Sequence, residues 1–125
     1  MLSTAQPHTA QRTLVADQLN FPTSVTFDSA GRVYIAESGL RFDGTKTTGR
    51  ILRREAGGSL TCLKDGLRSP VVGLICHKQV LYISEGGNPG RISRLSVDGK
   101  WFPKRAYVIG GTWLLGVACV SLFTD

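Results

Sequence analysis

Residues 19–39 read LNFPTSVTFDSAGRVYIAESG, and residues 67–87 read LRSPVVGLICHKQVLYISEGG. The two segments share Leu, Pro, Tyr, Ile, Glu and Gly at matching places, with a spacing of 48 residues. A second pair of segments follows, GRILR at residues 49–53 and GRISR at residues 90–94, with a spacing of 41. The first copy therefore carries seven extra residues in the loop of residues 40–48.

Each copy alternates short runs of β-branched and aromatic residues with Gly, Pro and Asp, which is typical of short antiparallel strands. A period of about 40–50 residues with four such strands is the pattern of one β-propeller blade. The sequence predicts an all-β fold, a partial β-propeller of about two four-stranded antiparallel blades plus an atypical C-terminal segment. A propeller needs several blades, so the pattern also indicates an incomplete one.

The strands are predicted from runs of apolar and alternating residues, and the turns from Gly and Asp between them. An outer strand is expected at residues 14–16. The first copy contributes strands at residues 24–27, 32–36, 50–54 and 60–64, and the second at residues 70–76, 80–84 and 91–97. Turns are expected at residues 28–31, 56–59, 77–79 and 98–99, with the Asp28 side chain capping its own backbone.

Three regions follow from this pattern: a polar tail at residues 1–13, the two blade repeats at residues 14–100, and an atypical apolar tail at residues 101–125. The polar tail lacks the basic start and apolar core of a secretory signal. A cytoplasmic location is expected if this start is authentic.

Residues 106–123 form a stretch of 18 residues without a charge, preceded by Lys100, Lys104 and Arg105. That length is at the lower edge for a membrane-spanning helix, and the basic residues before it suit the positive-inside rule. Glycines and β-branched residues within it speak against a helix. The interpretations left open are strands of an atypical third blade, a membrane anchor, and a shifted reading frame.

The composition excludes several classes of function. The formal net charge is +6, but the basic residues are spread along the 125-residue chain and form no block of five like charges. Binding to nucleic acid is therefore not expected. The cysteines, Cys62, Cys76 and Cys119, lie far apart, and the chain has only two histidines. Neither a disulfide framework nor a metal site is predicted.

Residues 19–38, followed by residues 49–53, resemble one blade of the six-bladed propeller superfamily. This superfamily includes NHL-repeat proteins, gluconolactonase-type enzymes, and sorbosone or glucose dehydrogenase-like proteins. The second copy, at residues 66–99, is most similar to the sorbosone dehydrogenase-like branch, and the resemblance covers about residues 14–100. It implies a sugar dehydrogenase or a relative, usually exported, that uses pyrroloquinoline quinone and calcium. The catalytic elements of that family lie in later blades, so no catalytic residue is predicted here.

The candidate site residues recur in both copies. Glu37 and Glu85 end the second strands, and Arg50 and Arg91 begin the third strands at equivalent places. In one interpretation these side chains surround the channel and face a sugar or a calcium ion. In the other, each Glu pairs with the Arg of its own blade as a structural brace. Repetition favours the brace, because a catalytic residue is usually unique.

Asn88 has no counterpart in the first copy and is a further candidate for facing a ligand, with turn formation as the alternative. The predicted function is a fragment of a sugar (sorbosone or glucose) dehydrogenase-like propeller that is inactive alone. A sugar substrate, pyrroloquinoline quinone and calcium are expected only in a full-length relative. The alternative is an NHL-like binding or scaffold module without catalytic activity. Two blades leave open edges, which predicts self-association.

Overall fold

The computed structural model describes residues 10–87, 89–102 and 107–108. Within this part of the chain there are eight β-strands and no helix. The strands are β1 (Pro22–Phe27), β2 (Val33–Glu37), β3 (Gly49–Arg54), β4 (Leu60–Leu67), β5 (Val71–His77), β6 (Val80–Glu85), β7 (Arg91–Ser96) and β8 (Tyr107–Val108).

The strands form two sheets, in the orders β1-β2-β3-β4 and β5-β6-β7-β8, and every pair of neighbours is antiparallel. Each strand thus pairs with the next one along the chain, as in a propeller blade. The predicted fold class, all-β with two four-stranded antiparallel blades of a partial propeller, is confirmed. We call β1–β4 blade one and β5–β8 blade two. Blade two extends beyond Lys100, because β8 pairs with β7.

The predicted strand at residues 14–16 does not form. Leu14 and Val15 are exposed, and the Val15 carbonyl accepts a hydrogen bond from the Arg54 side chain, with Nε 2.7 Å away. A strand needs a ladder of backbone hydrogen bonds from a neighbour. One side-chain bond fixes the position of the segment without making it part of the sheet.

The turn between β5 and β6 is tighter than predicted, because β5 continues to His77. Only Lys78 and Gln79 join the two strands, and both have positive φ, 50° and 64°. Two successive positive φ values are the geometry of the two-residue hairpin turn whose twist matches the strands. This shorter turn shifts the register of β5 by one residue relative to β1. Val25 lies opposite Ile35 in blade one, and Leu74 lies opposite Ile83 in blade two.

The two blades pack face to face around one apolar core. Tyr34, Ala36 and Ile51 of blade one belong to the same buried cluster as Leu74, Leu81 and Ile83 of blade two. Burying such side chains is the main stabilising contribution in a small β protein, about 1.5–3 kcal/mol for each large aliphatic residue.

Hydrogen bonds fix the first strands of the two blades side by side. The Thr23 hydroxyl donates to the Val71 carbonyl at 2.8 Å, and the Thr26 hydroxyl accepts from the Cys76 amide at 3.1 Å. The Val71 amide donates to the Ser38 carbonyl at 2.9 Å. In a propeller the first strands of adjacent blades line the central channel next to each other, so this arrangement is that of two consecutive blades.

Candidate functional site

The candidate carboxylates lie at equivalent places, at the ends of β2 and β6. Both Glu37 and Glu85 are buried, with 3% and 0% of their surface exposed. A buried carboxylate is strongly disfavoured unless it is paired and hydrogen-bonded. The partners of each Glu therefore decide what it can do.

In blade one, Glu37 is held by donors from its own blade. Its Oε1 accepts from Arg50, at 2.7 Å from Nε and 2.6 Å from Nη2. Its Oε2 accepts from the backbone amide of Asn20 at 2.7 Å. Asn20 belongs to the segment that leads into β1, so one carboxylate ties the start of the first strand to the start of the third.

Blade two repeats this arrangement and adds a partner. Glu85 Oε2 accepts from Arg91 Nε at 2.8 Å, and Glu85 Oε1 accepts from Arg91 Nη2 at 3.1 Å. Oε1 also accepts from the Arg68 amide at 2.7 Å, and the Ser93 hydroxyl donates to Oε2. Asn20 and Arg68 are 48 residues apart, so in both blades the glutamate binds the backbone amide at the equivalent place of the repeat. The two-point pairing with Arg91 is the stronger kind of ion pair.

These contacts are the ones that the brace hypothesis requires. The oxygens of both carboxylates accept hydrogen bonds from N–H and O–H donors of their own blade, and the brace and ligand-facing interpretations of Glu37 and Glu85 both stay predictions. The Arg50 side chain is 44% exposed and the Arg91 side chain 29%. A role for Arg91 at a ligand stays a prediction. Asn88 lies outside the described residues, so its predicted role also stays a prediction.

Among the residues that the structure describes, no group of three His, Cys, Asp or Glu side chains lies close enough together to hold a metal ion. In the same part of the chain, no helix is long and apolar enough to cross a membrane. The uncharged stretch of residues 106–123 lies outside the described residues except for the two residues of β8. The interpretations of that stretch therefore remain open.

Asp28 is the centre of a buried cluster, of which the sequence predicts the turn but not the contacts with Tyr34 and the Arg32 side chain. Its Oδ1 accepts from the amides of Ala30 and Arg32, both at 2.9 Å, as expected for an Asp in this turn. Its Oδ2 also accepts from the Tyr34 hydroxyl at 2.7 Å and from Arg32 Nε at 2.6 Å. Tyr34 is fully buried, so its hydroxyl needs an acceptor, and Asp28 supplies it.

Burial alone would raise the pKa of Asp28, but hydrogen bonds from Tyr34 and Arg32 outweigh it and lower the pKa from 3.8 to about 2. Burial and the bond to Asp28 raise the pKa of Tyr34. In blade two, His77 lies at the place of Asp28, opposite Val80, so the hairpin between β5 and β6 has no carboxylate there. The cluster is a structural element of blade one.

The stability of the fold is expected to depend on Asp28 at acid pH. Because the folded-state pKa is lowered, its contribution is present above pH 3.8 and lost as the pH falls toward 2. The contribution should be roughly 2 kcal/mol, since one pKa unit corresponds to about 1.4 kcal/mol. Urea unfolding of the wild type and of Asp28→Asn should differ by this amount near neutral pH and converge as the pH approaches the lowered pKa. A difference that stays constant across this range would contradict the assignment.

The comparisons with known proteins show a likeness of fold. A crystal structure of a protein named as an oxidoreductase (glucose dehydrogenase) from Thermus thermophilus is similar to this chain, with a TM-score of 0.52 and 19% sequence identity. The likeness covers 77% of this chain and 29% of that chain. The chain thus shares its fold with a part of that structure.

No protein-family model matches the chain. No curated protein matches it either. At 19% identity the structural likeness shows the fold alone. The chain spans less than a third of the length of the solved structure, so the activity of a whole protein of that kind is a matter for proposal.

Proposed function

We propose that this chain is a two-blade segment of a sugar-oxidising, dehydrogenase-like β-propeller, of the sorbosone or glucose dehydrogenase type. The observation that supports it most is the packing of two consecutive blades, with β1 beside β5, in a chain whose fold is similar to that of a named glucose dehydrogenase. Alone, the segment is expected to be inactive, because two blades do not enclose a channel.

The described residues do not fit the calcium ion that such enzymes use. Calcium takes about six to eight oxygen ligands, mostly carboxylates and carbonyls. Glu37 and Glu85, the acidic residues at the expected face, already accept hydrogen bonds from Arg50, Arg91 and backbone amides. In a full-length relative, residues of other blades would have to hold calcium and pyrroloquinoline quinone. The two described blades would then form part of the wall around that site without binding the ion.

The proposal is tested by extending the coding sequence. We would sequence the DNA downstream of the codon for Lys100 and translate all three frames. Further blades with a period of about 40–50 residues, and with the catalytic His and Arg of the dehydrogenase-like branch, would support the proposal. Blades without those residues, or no further blades in any frame, would contradict it.

A catalytic assay separates the proposal from the second candidate, an NHL-like binding or scaffold module. Val25 and Phe27, apolar residues of β1 that are more than half exposed, favour that second candidate. Dye reduction would be measured with glucose, added pyrroloquinoline quinone and calcium. The protein extended by its further blades should reduce the dye, and the 125-residue chain should not. Persistent inactivity of the extended protein, together with a defined closed assembly, would favour the binding module.

A further inference from the structure

One face of blade one is apolar and only partly covered, since residues 13–16 and 19 line the groove over it and Ile35 is 5% exposed. Val25 is 56% exposed and Phe27 60% exposed. They alternate along β1 with Ser24 and Thr26, whose hydroxyls bond to blade two, so they lie on the opposite face of the strand. Together with Val33 and Ile35 they line a groove of about 570 Å³. We call these four residues the open face. None of the residues that line the groove carries a charge. An exposed apolar surface of this kind marks an interaction site.

The repeat indicates what covers such a face. Val25 and Ile35 form the cross-strand pair that corresponds to Leu74 and Ile83 in blade two. Phe27 and Val33 correspond in the same way to Cys76 and Leu81. In blade two, Leu74, Leu81 and Ile83 are at most 2% exposed. They are buried because they pack against blade one. The open face is the same surface with residues 13–16 and 19 beside it instead of a neighbouring blade, so Ile35 is covered while Val25 and Phe27 stay more than half exposed.

The surface of blade one that packs against blade two also has a counterpart, on the far face of blade two. Blade two packs on Tyr34, Ala36 and Ile51 of blade one, and Ala36 lies opposite Ile51. The corresponding residues of blade two are Tyr82, Ser84 and Ile92, and Ser84 lies opposite Ile92. Ile75, opposite Tyr82, shares their face of the sheet. The chain therefore carries a second, closely similar copy of the surface that covers an open face.

We propose that the open face of blade one binds blade two of a second copy of this chain, through the face that carries Ile75, Ser84 and Ile92. This contact continues the interface that already joins the two blades within one chain. It is heterologous, so repeated contacts build a ring where the rotation closes and a filament where it does not. Arg94 lies opposite Tyr82 and shares the blade-two face, and it meets no like charge in the groove, whose lining residues are uncharged.

Docking has to compete with contacts that a single chain already makes. Ser84 and Ile92 are 4% and 1% exposed within one chain, and Ile75 is half-buried. We therefore expect assembly to depend on protein concentration. The proposal depends on blade packing alone and not on a dehydrogenase activity. Association and dye reduction are separate measurements, and either can fail without the other.

Sedimentation equilibrium of the full chain over a wide concentration range tests the proposal. The wild type should associate, and Phe27→Asp should shift it to a monomer, since a charge is placed in an apolar contact. Val25→Lys is a second variant at the same face. Phe42→Asp is the matched control, because Phe42 is 95% exposed in a loop outside the open face and its loss should leave association unchanged. A monomeric wild type, or association that survives both open-face variants, would overturn the proposal.

A mixing experiment distinguishes the head-to-tail contact from a symmetric one. Ile75→Asp disables the blade-two face and should also be monomeric alone, with circular dichroism confirming that it folds. Mixed with Phe27→Asp, it should form a one-to-one dimer and nothing larger, because one intact face of each kind remains. A symmetric contact between two open faces would instead leave Ile75→Asp dimeric and give no mixed dimer. Either of those two results would refute the head-to-tail contact.

Discussion

Replacing Glu85 by glutamine should lower the free energy of unfolding by about 3 kcal/mol, since removing one partner of a buried ion pair leaves an uncompensated charge. Glu85 is fully buried and accepts from Arg91, Ser93 and the Arg68 amide. A neutral amide provides one acceptor oxygen and turns an NH₂ group toward groups that are themselves donors. Urea unfolding followed by circular dichroism would measure the loss.

The equivalent variant in blade one provides the control. Glu37→Gln should cost about half as much, because its partner Arg50 is 44% exposed and water can replace the lost contact. Glu37 also has no counterpart of the Ser93 contact, since Leu52 lies at that place of β3. A Glu85 variant with unchanged stability but a weaker affinity for sugar or calcium would contradict the brace and favour the ligand-facing interpretation.

Alanine at Gly86 is expected to destabilise the fold by about 3 kcal/mol, at the upper end of the cost of overpacking. An added Cβ would meet the Pro70 side chain, and it would lie 2.6 Å from the Pro70 nitrogen and 2.9 Å from the Ser69 carbonyl oxygen. These are mostly backbone atoms, which cannot rotate away. The same backbone is held in place because the Gly86 amide donates to the Pro70 carbonyl at 2.8 Å.

Gly57 is the matched control for this variant. It lies in the turn between β3 and β4, its φ is not positive, and an added Cβ would meet nothing within 4 Å. Gly57→Ala should therefore leave stability unchanged or raise it by about 0.4–1 kcal/mol, through a lower entropy of the unfolded chain. Equal losses at Gly57 and Gly86 would show that the close approach of residues 69–70 to Gly86 is absent.

The parts of the structure that repeat could be predicted from the sequence. The spacing of 48 places Glu37 and Glu85 at equivalent strand ends, and the GR pairs place Arg50 and Arg91 beside them. Both ion pairs follow from this placement, because opposite charges across neighbouring strands attract. The architecture follows for the same reason, since each repeat is one four-stranded unit.

The features that do not repeat could not be predicted. The contact from Tyr34 to Asp28 depends on a turn that blade two lacks, and the contact from Ser93 to Glu85 depends on a residue that blade one lacks. The register shift of β5 was missed because a one-residue change in its turn leaves the flanking Pro and Tyr at the same spacing. The segment of residues 14–16 was misassigned because an apolar run does not reveal whether a neighbouring strand pairs with it.

The most direct test of the two-blade account is a solution NMR measurement of distances between β1 and β5. The account predicts nuclear Overhauser contacts from the Cys76 amide to the side chain of Thr26, whose hydroxyl oxygen lies 3.1 Å away. It also predicts contacts between the rings and methyl groups of Tyr34, Leu74 and Ile83 in the core between the blades. Intact contacts within each sheet, without any contact between β1 and β5, would contradict the packing of consecutive blades.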